Sequence, residues 1–304
     1  MTKIRLSADV WQPRRWWVPG PLLLGSFLPW FMALSLLVLT DFFKPADYAL
    51  AYANVLAGAV GAHLVLLHVR RDALLDPEHF SGRVDTLSQE VIDLALASLL
   101  YELAAPATAE VGYGRVAEAV SDALPRHAPA LVVLGHRNTA DMADELVATA
   151  ALDILRTAPQ PMLVVPVGTR PAVPRRLLLA LDAESFSLGD HTGLVRRLFD
   201  ALPAELTVLH VGADRAEAAA GTAAAVAVIE RTGLALDLGG GLPTRCLVHA
   251  TPAGGILKAA ATGEFDAVVL VARPRSFLGA LFHRSVTAHV LLHSPIPVLV
   301  LPAV

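Results

Sequence analysis

The chain has 304 residues, a length that suits two domains, and its single cysteine, Cys246, leaves no intramolecular disulfide to hold either together. The net charge of −4 and the lack of any run of about five like charges give no footprint for sequence-independent nucleic-acid binding, and no His/Cys set has zinc spacing. Charged residues make up 17% and hydrophobic ones 55%, and the mean hydropathy of +0.55 requires a search for a membrane span.

From Val18 to Thr40 no residue is charged, and Lys3, Arg5, Arg14 and Arg15 precede the stretch, as in an anchor or signal segment. Gly20, Pro21, Gly25 and Pro29 interrupt it, however, and its end, 34–40, reads as a buried parallel strand that closes on Asp41. If those residues form a strand, the apolar piece from Pro21 to Trp30 is too short to cross a bilayer. Residues 1–31 then read as an N-terminal extension before a first domain that opens at Met32. The protein reads as cytoplasmic, with a membrane anchor as the competing reading.

Beyond that point short apolar runs alternate with longer amphipathic ones, the pattern of a parallel sheet covered by helices on both faces. Strands are expected near 34–40, 63–69, 107–112, 130–135 and 161–165. A helix should start at Pro45 and stop near Gly61, and another should carry the capping box Thr86-Leu-Ser-Gln89 and run to about Leu103. The second half repeats the scheme, with strands near 176–181, 205–211, 244–249, 266–271 and 297–301. Both halves also end in one phrase, Ala158-Pro-Gln-Pro and Ser294-Pro-Ile-Pro, at an offset of 294 − 158 = 136. Leu67-His68-Val69 recurs as Leu209-His210-Val211, and Leu39-Thr40-Asp41 as Ala180-Leu181-Asp182. A duplication follows: one domain over 32–167, a Pro- and Gly-rich linker over 168–175, and a second domain over 176–304. Five strands and four helices per half make a doubly wound α/β unit. Such sheets bind ligands at the carboxyl ends of their strands where the winding reverses, which directs attention to Asp41, Gly135, Asp182 and Val271.

After the fourth strand comes Gly135-His-Arg-Asn138, then nine residues, then Ala148-Thr149. With the Asp turns, the Leu-His-Val strand ends and the Ala/Ser-Pro-x-Pro strand openings, this resembles the universal stress protein family. Nucleotide-binding members of that family carry Gly, two residues, Gly, nine residues, Gly and then Ser or Thr, and here the resemblance covers both halves. It implies a Rossmann-like strand order 3-2-1-4-5 in each half and a stress-response role exercised by binding. It also implies an adenine nucleotide, ATP or AMP, in the first copy: Thr40 and Asp41 toward the adenine or ribose edge, the Val69 backbone at the adenine, and Gly135, Asn138, Ala148 and Thr149 toward the phosphates. Backbone N–H groups and a hydroxyl at a helix N-terminus hold phosphate, and replacing two of the three glycines by Asn and Ala weakens such a cradle. The apolar last strands, 162–165 and 298–301, are expected to pair edge to edge as an internal pseudo-dimer. Further dimerisation of the chain and regulatory protein partners complete the expected associations.

The second copy has Val271, Pro274 and Arg284 at the glycine positions and keeps only Ser285. Losing two or three charge-assisted hydrogen bonds of roughly 1.5–3 kcal/mol each lowers affinity by about two to six orders of magnitude, so no family-style site is expected there. Arg273, Arg275 and Arg284 either hold phosphate in place of backbone N–H groups, stand in solvent, or pair with acidic residues at a domain interface. His68 and His210 read as structural, Cys246 as an inert strand residue, and the pair His289 and His293 lacks a third metal ligand. No nucleophile elbow, acid/base carboxylate pair or cofactor lysine appears, so the chain reads as a non-enzyme without a metal site of its own. Two other readings stay open: a nucleotide-free protein-interaction module, and a weak ATPase or phosphotransferase.

Overall fold

The computed structural model describes residues 34–70, 88–136, 142–232, 234, 241–273 and 285–304, with 142–149 as backbone only. The extension and the Thr86 cap fall outside these residues. In chain order the first half comprises β1 (Ser35–Thr40), α1 (Lys44–Val60), β2 (His63–Arg70), α2 (Gln89–Glu102), β3 (Ala107–Tyr113), α3 (Val116–His127), β4 (Leu131–His136), α4 (Met142–Thr157) and β5 (Met162–Pro166). The second half comprises β6 (Arg176–Ala180), α5 (Thr192–Ala201), β7 (Glu205–Gly212), α6 (Arg215–Thr232), β8 (Thr244–Val248), α7 (Pro252–Ala260), β9 (Ala267–Ala272), α8 (Val286–His293) and β10 (Val298–Pro302).

The Leu- and Val-rich runs form central strands because both of their faces can be buried. Leu36 and Val38 pack with α1, α2, α5 and α6 on one side of the sheet, while Leu37 packs with α3, α4, α7 and α8 on the other. Helix α1 takes Pro45 in its first turn and ends at Gly61, whose φ of +65° returns the chain to β2. Helix α2 is capped one residue before its start, by the Ser88 hydroxyl on the Val91 N–H.

All ten strands form one sheet in the order β3-β2-β1-β4-β5-β10-β9-β6-β7-β8. Each half shows the order 3-2-1-4-5, and the halves join where β5 meets β10 in the only antiparallel pairing among the described strands. The register pairs Leu163 with Leu299, Val164 with Val298 and Met162 with Val300. Since 299 − 163 equals the repeat offset of 136, Leu163 and Leu299 are equivalent residues facing each other, and a local two-fold axis passes through that pair. The seam removes two apolar edges, as the sequence led us to expect, and both hydrophobic clusters run through it. Antiparallel pairing also sends the carboxyl ends of the two sets of strands to opposite ends of the sheet, so the two candidate mouths cannot share a ligand.

Candidate functional site

The first mouth lies where the winding reverses between β1 and β4. Register places Thr40 beside His68, and β4 continues its pairing with β1 from Val38↔Val133, which brings Gly135 level with Thr40. Thr40, Asp41, Val69 and Gly135 therefore stand together at the ends of three adjacent strands. Asn138 lies outside the described residues. Ala148 and Thr149 are placed within α4, seven residues or so past its start at Met142, and not in its first turn. Their backbone N–H groups lie in the helix ladder and not among the free N–H groups of a first turn.

Local chemistry shapes the rest of the mouth. Asp41 accepts the Phe43 N–H at 3.0 Å, and this turn holds Phe42 at φ +63°, a conformation that costs a bulky residue roughly 1–2 kcal/mol. There the Phe42 ring stacks on His68, with centroids 4.4 Å apart and 29° between planes. His68 Nδ1 shares a hydrogen bond with the Thr40 carbonyl at 2.9 Å. Burial holds the His68 pKa below the usual histidine value, although the bond to Thr40 and the charge of Asp41 oppose that shift. Phe43, 62% exposed, stands beside the Asp41 carboxylate. Sequence reasoning gave no role to Phe42 and Phe43, although two consecutive aromatics directly after the strand-end Asp are a visible signal for a base-stacking surface.

Gly135 also has a packing task. A Cβ at this position would lie 1.8 Å from the Pro45 carbonyl oxygen, so the glycine is what lets β4 approach the first turn of α1.

The second mouth repeats the turn and then closes it. Asp182 accepts the Glu184 N–H at 3.1 Å, and Ala183 takes φ +64°, the counterpart of Phe42. Arg273, two residues beyond Val271, grips this carboxylate side-on, Nε to Oδ2 at 3.1 Å and an Nη to Oδ1 at 2.7 Å. It also donates to the Glu184 and Ser185 carbonyls, each at 2.7 Å, and its side chain is only 12% exposed. Burial alone would raise the Asp182 pKa, but the hydrogen bonds from Arg273 and the Glu184 N–H outweigh it and hold the pKa below the usual carboxylate value. The following segment is tied down as well: the Ser187 carbonyl accepts the Val304 N–H at 2.9 Å, and His191 Nε2 lies 3.0 Å from the Pro159 carbonyl of the first half. Arg273 thus pairs with an acidic residue, but within its own domain and not at the domain interface that the sequence reading named. Pro274, Arg275 and Arg284 lie outside the described residues, and Ser285 serves as the N-cap of α8, accepting the Ala288 N–H.

His210 repeats the bond of His68, with Nδ1 2.9 Å from the Leu181 carbonyl, so both strand-end histidines are structural. His289 and His293 stack on each other at 4.4 Å, and among the described residues no group of three potential ligands could hold a metal. Cys246 departs from expectation: it is exposed, because β8 is the edge of the sheet. No helix among the described residues is long and apolar enough to cross a membrane.

This is a tandem pair of doubly wound α/β units with a ligand-type mouth at each switch point. The sequence pattern of the universal stress protein family matches residues 32–166 and 174–302, and the chain belongs to that family. Among solved structures it is similar to a universal stress protein from Archaeoglobus fulgidus, with 17% identity and a TM-score of 0.61 over 88% of this chain and 96% of that one. It is similar also to a functionally unknown protein from Pseudomonas aeruginosa, with 17% identity and a TM-score of 0.58 over 90% of this chain and 93% of that one. Likeness at this identity speaks to the fold. No curated protein matches the sequence.

Proposed function

We propose that the protein is a cytoplasmic stress-response regulator that works by binding and not by turnover, and that its first repeat holds an adenine nucleotide, ATP or AMP, mainly through the nucleoside. On this reading residues 32–167 are the ligand-responsive domain, 168–175 the linker, and 176–304 a partner that takes no nucleotide. The contrast between the two strand-end aspartates carries the proposal. Among the described residues Asp41 accepts one hydrogen bond, from Phe43, and keeps lone pairs for a ribose hydroxyl or an adenine edge, whereas Asp182 is taken by Arg273. The Val69 backbone and the Phe42 and Phe43 rings offer adenine an edge and a face. Gly135 and Asn138 remain the candidates for phosphate contact, with Ala148 and Thr149 contributing weakly from inside α4.

A grip centred on the nucleoside predicts little discrimination by phosphate count. Calorimetric titration of ATP, ADP and AMP with magnesium into the full chain should give one site per chain, with the three affinities within about tenfold of one another. Binding should disappear in Asp41→Ala. No heat with any nucleotide would leave the interaction-module reading, and phosphate release alongside binding would favour the weak ATPase.

A further inference from the structure

Helix α2 turns large apolar side chains toward solvent. It buries Ile92 and Leu96, while Val91, Leu94 and Tyr101 are 47%, 73% and 93% exposed. With Ser98, whose position completes the spacing of three, four and three residues, they share one face of the helix. Exposed Glu90 and Glu102 border this stripe, Asp93 lies further round the helix, and the helix contains no Lys or Arg. Gln89 braces its first turn, donating to Asp93 at 2.7 Å and accepting from Arg70 at 3.2 Å.

The duplication supplies an internal control. Helix α6 occupies the same place in the second repeat, between the second and third strands of its half, yet its exposed positions are alanines with a balanced set of two acids and two bases, Glu217, Glu230, Arg215 and Arg231. The fold therefore does not demand an outward apolar stripe here, nor an acidic border.

We propose that this face of α2 is a docking surface for a basic amphipathic helix of a partner protein. The partner lays its own apolar stripe along Val91, Leu94 and Tyr101 and sets lysines or arginines against Glu90 and Glu102. The charge pattern selects the occupant. A second copy of α2 would bring like carboxylates together, and an anionic lipid surface would be repelled by the same two groups. Fourteen residues make a helix about 21 Å long, enough to seat about four turns of a partner. The inference is independent of the nucleotide reading, because none of these residues belongs to the mouth.

The test is fluorescence anisotropy of a labelled Leu/Lys peptide of about five turns, with leucines at helical spacing, titrated with the full chain. Saturable binding is expected. It should weaken tenfold or more in the double variant Leu94→Ser/Tyr101→Ser and in Glu90→Gln/Glu102→Lys, all at exposed positions, with thermal melts unchanged. Binding should also weaken as added salt shortens the Debye length from about 10 Å toward about 3 Å, and a Leu/Glu peptide of the same pattern should not bind. No saturable binding, or equal binding by wild type and the Leu94/Tyr101 variant, overturns the proposal. A wild-type dimer that this variant dissociates in sedimentation would assign the face to a second copy. Flotation with anionic vesicles that the variant abolishes would assign it to lipid. Either result overturns the proposal as well.

Discussion

The two mouths begin from one design and diverge at a few positions. Each places an aspartate after the first strand of its half, a left-handed residue after the aspartate, and a histidine bonded to the carbonyl at or beside the end of that strand. In the first repeat a glycine on the fourth strand lets α1 start three residues after its aspartate, at Lys44 (44 − 41 = 3). In the second repeat Val271 stands there, α5 starts ten residues after its aspartate, at Thr192 (192 − 182 = 10), and Arg273 holds the first residues of the intervening chain through the Glu184 and Ser185 carbonyls. The same strand-end turn thus has two fates in one fold: in the first copy its carboxylate meets only a backbone N–H among the described residues, and in the second it meets an internal cation.

The largest effect should come from making the first mouth resemble the second. Gly135→Val drives a Cβ into the Pro45 carbonyl, backbone that cannot yield without moving α1, and should cost about 3 kcal/mol or more in urea unfolding. Val271→Gly should cost only about 1–2 kcal/mol, for lost partial burial and added strand freedom. Similar costs at the two positions would mean that the glycine does not set the start of α1.

Opening the second mouth comes next in size. Arg273→Ala releases a carboxylate and two carbonyls that water can reach, Asp182 being 55% exposed, so the cost should be about 1–2 kcal/mol after screening. The pH dependence gives a sharper readout. The folded-state pKa of Asp182 lies below its ordinary value near 3.8, so its contribution is present above that value and is lost as pH falls through the lower, folded one. In Arg273→Ala that loss should flatten in acid denaturation followed by circular dichroism, while Asp41→Ala should leave it in place. An unchanged acid limb would show that the pair does not hold the segment.

Much of this was legible in the residues. The strand positions and the seam follow from apolar runs, the 136-residue offset and the two apolar last strands, because continuous burial leaves few alternatives, whereas the strand order came from the family resemblance. The closing of Asp182 was only one of several readings, since Asp182 and Arg273 are 91 positions apart and sequence does not say which carboxylate a loop arginine meets. The exposure of Cys246 escaped notice because an edge strand and an inner strand can share one apolar pattern. The start of α4 well before Thr149 was hidden as well: a motif fixes spacing, and the helix boundary within that spacing depends on residues that the motif leaves free.

The smallest predicted effect tests what the first mouth retains. Phe42 and Ala183 occupy the same left-handed conformation, at φ +63° and +64°, and glycine removes the same steric cost from both. At Ala183 only a methyl is given up, and after the added freedom of the unfolded chain Ala183→Gly should stabilise by about 0.5–1 kcal/mol. Phe42→Gly gains the same relief but loses the stack on His68, worth about 0.5–1.5 kcal/mol, together with the partly buried area of the ring, so it should destabilise by about 1 kcal/mol. Opposite signs in urea unfolding would show that the first repeat bears a strained turn in order to keep an aromatic beside Asp41. Stabilisation by both substitutions would mean that the stack contributes nothing, and the mouth would lose its aromatic face as a reason to favour adenine.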